Sequence, residues 1–184
     1  MSIKHLPHLH LPNNFQFITF RTFASMDSFL RKLTAQAISN DKKQLAVDAY
    51  LDTSIAGADL QGKVLVALNA FFRAKGTLWY DLVAFAIMPN HVHLLLKPYD
   101  SLPVLMQKMK GGSAKMINEM MGRSGVFWAK DYYDKAIRNE RHFAVVYRYI
   151  KHNPVKLGDK EDLALRFYSV YEGVPLVNTS RLKP

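Results

Sequence analysis

His91 and His93 flank a single valine in the stretch Met88-Pro89-Asn90-His91-Val92-His93, and the apolar run Leu94-Leu95-Leu96 follows. In a strand, side chains two apart point to the same face. This spacing therefore sets two imidazoles side by side, a pair of the type that binds one metal ion. Met-Pro-Asn is a turn signal directly ahead of the pair. The same pattern also describes a half-buried strand whose polar face carries two histidines. Further along, Phe143, Val146, Tyr147 and Ile150 recur at helical spacing. Pro154 disfavours helical geometry at Asn153 and ends that segment. Tyr149 and Asn153 lie one turn apart on one helix face. A phenol and an amide so placed can act as a nucleophile and a metal ligand, or as an interfacial tyrosine and a helix-terminal asparagine. Tyr147 falls on the apolar stripe with Phe143 and Ile150 and is assigned to the core.

These residues need elements to position them. Alternation around Phe15, Phe17, Ile18 and Phe20 predicts a strand over 14–21. Met26, Phe29, Leu30 and Leu33 predict a helix over 25–37 with Ser25 as its cap. A second helix is expected over 41–51 with weaker amphipathicity, and a third over 60–74 with Leu60, Val64, Leu65, Leu68 and Phe72 as its stripe. Two strands are expected over 78–87 and 91–97 around Met-Pro-Asn. A helix over 101–121 follows, with Leu105, Met106, Met109, Met116 and Met120 as core filling rather than ligands. Gly111-Gly112 lowers its propensity by roughly 2 kcal/mol and marks a candidate bend. Strands and helices mix without strict alternation, which predicts an α+β fold with helices over one face of an antiparallel sheet. Residues 1–13, with His5, His8 and His10, read as a flexible tail, and 14–184 as a single domain.

The chain holds 25 Lys+Arg against 15 Asp+Glu, a formal charge of +10. Such an excess attracts phosphate backbones through counterion release. The basic residues concentrate near the motifs: Lys108, Lys110 and Lys115 after the histidine strand, Lys130, Lys135, Arg138 and Arg141 ahead of the tyrosine helix, and Arg148, Lys151 and Lys156 on or after it. With no cysteine in the sequence, disulfides and thiolate metal sites are excluded. No apolar run is long enough for a membrane span and the first fifteen residues lack a signal-peptide core, so a cytoplasmic location is expected.

Four stretches together resemble the single-tyrosine transposases that carry a His-hydrophobe-His motif, above all the REP-associated tyrosine transposases. They are Phe17-Ile-Thr-Phe-Arg-Thr22, Tyr80 through Leu96, Phe127 through Glu140 with its Trp–Tyr–Asp–Ile-Arg block, and Tyr149-Ile-Lys-His-Asn-Pro-Val-Lys156. They occur in family order and span about residues 15–158, whereas 38–62 has no counterpart in the resemblance.

The resemblance implies a ferredoxin-like arrangement with the histidine strand central and the tyrosine helix packed nearby. It implies that His91, His93 and Asn153 hold a divalent ion, magnesium or manganese, and that Tyr149 is the nucleophile. It further implies attack on a single-stranded DNA phosphodiester, giving a 5′-phosphotyrosine link and a free 3′-hydroxyl, at hairpin or palindromic repeats. Arg138, which falls in the Ile-Arg block, becomes the leading single DNA-binding candidate. An unactivated phenol, with a pKa near 10, is a poor nucleophile at neutral pH, which explains the need for a Lewis acid beside it. A hairpin-DNA-binding protein of the same fold and a water-using phosphodiesterase are the alternatives. The oligomeric state is left open between monomer and homodimer.

Overall fold

The structure is a computed structural model describing residues 14–25, 28–35, 39–160 and 163–171. The reading of residues 1–13 as a tail, and Met26 in the first helix, lie outside the described residues. The elements in chain order are β1 (Gln16–Arg21), α1 (Ser28–Ala35), α2 (Asn40–Leu51), α3 (Gly62–Lys75), β2 (Tyr80–Ile87), β3 (His91–Pro98), α4 (Leu102–Met121), β4 (Tyr133–Ala136), α5 (Glu140–His152), α6 (Leu163–Arg166) and β5 (Phe167–Ser169).

The five strands form one antiparallel sheet in the order β4-β1-β3-β2-β5. The succession β1-α3-β2-β3-α4-β4 with strand order 4-1-3-2 is the expected ferredoxin-like α+β arrangement, and β5 extends it beyond β2. β3 sits at the centre, and all of His91 through Leu96 is buried. Its Val92, Leu94 and Leu96 join Ile18 and Phe20 of β1 in a core closed by Leu65, Leu68 and Phe72 of α3 and Leu105, Met106 and Met109 of α4. Leu95 of β3 faces the other way, with Phe17, Ala84 and Ala86, against Val146, Tyr147 and Ile150 of α5. The small side chains of Ala84 and Ala86 let α5 lie close to the sheet.

Helices therefore cover both faces rather than the one expected. The reason is visible in β3, whose continuous apolar run is what burial on both sides demands. Of the stripe expected for the first helix, Leu30 and Leu33 are buried against Val47 and Leu51 of α2, whereas Phe29 is half exposed, and the expected start does not hold. Ser25 sits in a 3-10 turn and its hydroxyl donates to the Thr22 carbonyl, 2.8 Å, instead of capping α1. The helix α4 runs unbroken through Gly111-Gly112. A Cβ on Gly112 would stand 3.3 Å from the Phe71 ring, so the glycine serves the approach of α3. Met116 and Met120 are only half-buried; Ser113 and Ile117 take the buried positions. β4, short and half-buried along its length, carries no alternation that a sequence pattern could reveal.

Candidate active site

Alternation along β3 puts His91, His93 and Leu95 on the face that α5 covers. Both histidines are fully buried, and their Nε2 atoms stand 3.1 Å apart. Two nitrogens each about 2.1 Å from one ion at near right angles would have about this separation. The tautomer of His91 follows from its neighbour. Asn90 Nδ2 donates to the carbonyls of Leu51, Ser54 and Ala56 at 3.1, 2.9 and 3.3 Å. The atom 2.8 Å from His91 Nδ1 is therefore the Asn90 oxygen, an acceptor, so His91 Nδ1 carries the proton and donates to it. The lone pair on His91 Nε2 then points at His93. His93 Nδ1 is paired with Thr19 Oγ1 at 2.8 Å, and Thr19 lies opposite His93 in the β1–β3 register. Such outer partners fix ring orientation in metal sites.

Burial lowers the His91 pKa to about 3, with help from Lys156 and Arg21. It holds His93 well below its ordinary value, helped by His91 and Lys156. Both imidazoles are thus neutral at pH 7, the form that ligates a metal.

α5 brings Tyr149 to the pair. Its amphipathic stripe of Val146, Tyr147 and Ile150 seats it on the sheet. The Asn139 side chain caps its first turn by accepting the His142 N–H at 2.8 Å. The Tyr149 ring meets His93 edge-on with centroids 5.2 Å apart and Phe17 at 5.8 Å. Tyr147 is buried and its hydroxyl donates to Ser169 Oγ at 2.9 Å, as a core residue. Asn153 is fully buried, and its side-chain amide lies near the Tyr149 phenol, whose ionised form it favours, without a hydrogen bond of good geometry. An orphaned amide of this kind fits a ligand that is still to be added.

The sequence reading missed two carboxylates. Asp48 and Asp52, one turn apart at α2 and its C-terminal cap, reach into the same site. The Tyr149 hydroxyl donates to Asp48 Oδ2 at 2.7 Å, and Gln44 Nε2 donates to Asp48 Oδ1 at 2.6 Å. Burial pushes the Asp48 carboxyl up to about 7 against the pull of those two hydrogen bonds. Burial and the Asp48 charge in turn push the Tyr149 phenol well above its ordinary value. Asp52 Oδ1 stands 3.7 Å from His91 Nε2, and Asp52 Oδ2 accepts from Lys156 Nζ at 2.6 Å. Lys156 Nζ also lies 5.5 Å above the Tyr149 ring. Asp48, His91 and His93 form a buried trio whose ligand atoms all lie within 4.8 Å of one another. The available signal was an aspartate set between Val47 and Leu51 on a helix that the sequence locates but whose buried face its weak pattern does not reveal.

The basic candidates divide between places. Lys135, Arg138, Arg141 and His142 line a shallow concavity of about 360 Å³ at the start of α5. Lys135 is also held by Asp41. Arg148, Lys151 and Lys156 are exposed on or just after α5. Lys108, Lys110 and Lys115 ride on α4, which packs on the sheet face opposite the histidines. Lys108 pairs with Asp100 at 2.5 Å. Lys110 Nζ donates to the carbonyls of Ala129 and Lys130 at 2.6 and 2.7 Å, and burial lowers its pKa to about 8. Lys115 and Lys130 are exposed. No described helix is long and apolar enough to cross a membrane.

With this geometry in view, the relatives are informative. The family model described as IS200-like transposase matches residues 60–153, just over half of the chain and a span that contains both histidines, Tyr149 and Asn153. The chain belongs to the IS200-like transposase family. Among solved structures it is similar to a REP-associated tyrosine transposase bound to a REP hairpin, at 18% identity and a TM-score of 0.50 over 85% of this chain and 75% of that one. It also matches a crystal structure of an inferred transposase from Deinococcus radiodurans R1, at 18% identity and a TM-score of 0.36 over 81% and 97%. No curated protein matches significantly.

Proposed function

We propose that this protein is a metal-dependent nickase and strand transferase for single-stranded DNA that works through a 5′-phosphotyrosine at Tyr149, on hairpin or palindromic substrates. The observation that carries this reading is the pair of facing, buried imidazoles beside a half-buried tyrosine of the same chain, 5.2 Å from His93 ring to Tyr149 ring. His91 and His93 would hold a magnesium or manganese ion, with Asn153 as a neutral oxygen donor. When bound, the ion supplies Lewis-acid polarisation of the scissile phosphate.

The chain's own groups do the rest. Tyr149 Oη attacks phosphorus, the bond from phosphorus to the 3′ oxygen breaks, and that oxygen leaves as a 3′-hydroxyl after taking a proton. The phenol's own proton has an acceptor already in place at Asp48 Oδ2. Attack by a later 3′-hydroxyl on the phosphotyrosine reverses these steps and rejoins DNA without ATP. Positioning of the phenol by Phe17, His93 and Asp48 makes the attack intramolecular once DNA is bound, an effect that can be worth several kcal/mol. The hairpin named for the REP-associated structural relative supports a hairpin as the substrate here. Arg138, Arg141 and Lys135, gathered at the start of α5, are the best placed groups for its backbone.

The test is cleavage of an end-labelled single-stranded hairpin with Mg²⁺ or Mn²⁺. His93→Ala and exhaustive chelation should each reduce cleavage to background while circular dichroism is unchanged. Cleavage that survives both would remove the metal from the account.

A further inference from the structure

We propose that Asp48 is a ligand of the divalent ion together with His91 and His93, and that its carboxylate couples the ion to the Tyr149 phenol. This deepens the metal-dependent reading above and rests on it. It differs in the ligand set: a two-histidine, one-carboxylate centre whose acid arrives on α2, outside the residues 60–153 that match the family model.

Three observations carry it. Asp48 reaches to within 4.8 Å of both histidine ligand atoms, and all three residues are buried. Next, Asp48 is 4% exposed, yet its hydrogen bonds come from Gln44 and Tyr149, both neutral donors. Lys156 and Arg21 act on its charge through space, but among the described residues neither forms a close ion pair with it. A buried carboxylate compensated only at a distance is expensive, and an ion between the imidazoles would supply a charge in contact. Lastly, its position is built into the fold. Asn90 fastens the end of α2 and the turn beyond it through the carbonyls of Leu51, Ser54 and Ala56, and orients His91 with its other atom. One side chain thus sets both the helix that carries the acid and the ring that would share its ion.

Asp52 is the competing acid, since its Oδ1 is buried without a partner 3.7 Å from His91 Nε2. Its other oxygen is already neutralised by Lys156, so Asp48 is the acid in need of a cation. A carboxylate can ligate through one oxygen while the other keeps the phenol. Two imidazoles and a carboxylate also favour manganese over magnesium, because imidazole is a poor ligand for the harder ion.

The experiment is Mn²⁺ titration of the full, chelator-stripped chain without DNA, by calorimetry and by the electron paramagnetic resonance signal of free Mn²⁺. The expected result is one site, lost in His93→Ala, weakened at least tenfold in Asp48→Asn, and unchanged within threefold in Asp52→Asn and Tyr149→Phe. Thermal melts in chelator separate loss of the ligand from loss of the fold. Should Asp48→Asn fail to fold, the anomalous Mn²⁺ peak in crystals of the unaltered protein decides. It should touch Asp48, His91 and His93. A peak ligated by Asn153 or Asp52 without Asp48, or an Asp48→Asn protein that binds Mn²⁺ like the parent, overturns the proposal and leaves the metal-dependent reading standing. A parent chain that binds no Mn²⁺ removes both.

Discussion

At the scale of single residues the site is a balance between burial and charge. His91 and His93 are kept neutral by burial, which suits ligands, whereas burial works against Asp48, whose ionised form is helped only from a distance by Lys156 and Arg21. Its carboxyl is raised to about 7 from an ordinary value of 3.8. Between those pH values the native state holds a proton that the unfolded chain has released. Stability conferred on the metal-free protein is therefore complete at low pH and falls as pH rises through about 4 to 7. Asp48→Asn lacks this titration. Urea unfolding in chelator should find it more stable than the parent by roughly 2–4 kcal/mol at pH 8, with the gap closing toward pH 4. A parent that is the more stable at pH 8 would show that Asp48 has a counter-charge of its own.

Among elements, the histidine strand and the tyrosine helix were legible because each carries its evidence locally. His91 and His93 share a face by strand alternation alone, and Tyr149 and Asn153 share one by helical pitch. Tyr147 was separable from Tyr149 by the stripe it belongs to. α2 was not legible in the same way. Its weak pattern hides the fact that Asp48 is buried by contacts with β3 and α5, distant in sequence. Asn90 reads locally as a turn residue, and its hydrogen bonds to Leu51, Ser54 and Ala56 span 34 to 39 residues. The one-faced sheet expected from the sequence failed for a related reason: a continuous apolar strand fits burial on both sides, and only α5 itself shows what the second side meets. The tether makes a sharp expectation. Asn90→Ala leaves three carbonyls without their donor and frees the His91 ring, so it should lower unfolding free energy by about 2–4 kcal/mol in urea titration and weaken Mn²⁺ binding. A neutral substitution would mean that α2 is held in place by its apolar contacts alone.

Over the whole molecule the formal charge is +10; among the described residues basic side chains lie on α4 against one sheet face and on or beside α5 on the other, and the proposed function puts the DNA at the second group. Arg138 and Arg141 share the concavity at the start of that helix. On the proposed binding mode, replacing both with alanine would remove two phosphate contacts. For a single strand, the slope of log affinity against log salt should fall by about 1.4. Lys108→Ala, on the face opposite the histidines and paired with Asp100, should leave that slope unchanged. Fluorescence anisotropy with a labelled hairpin across a salt series measures both, and equal slopes for the double variant and the parent would place the DNA elsewhere on the surface.

The central claim is that Tyr149 becomes covalently joined to DNA. It is tested by incubating the protein with a labelled single-stranded hairpin and Mg²⁺ or Mn²⁺, then denaturing electrophoresis and peptide mapping. The expected result is label migrating with the protein on the peptide that contains Tyr149, with Tyr149→Phe binding the hairpin and giving no such band. Cleavage that leaves both DNA ends free and no label on the protein would contradict it and make water the nucleophile.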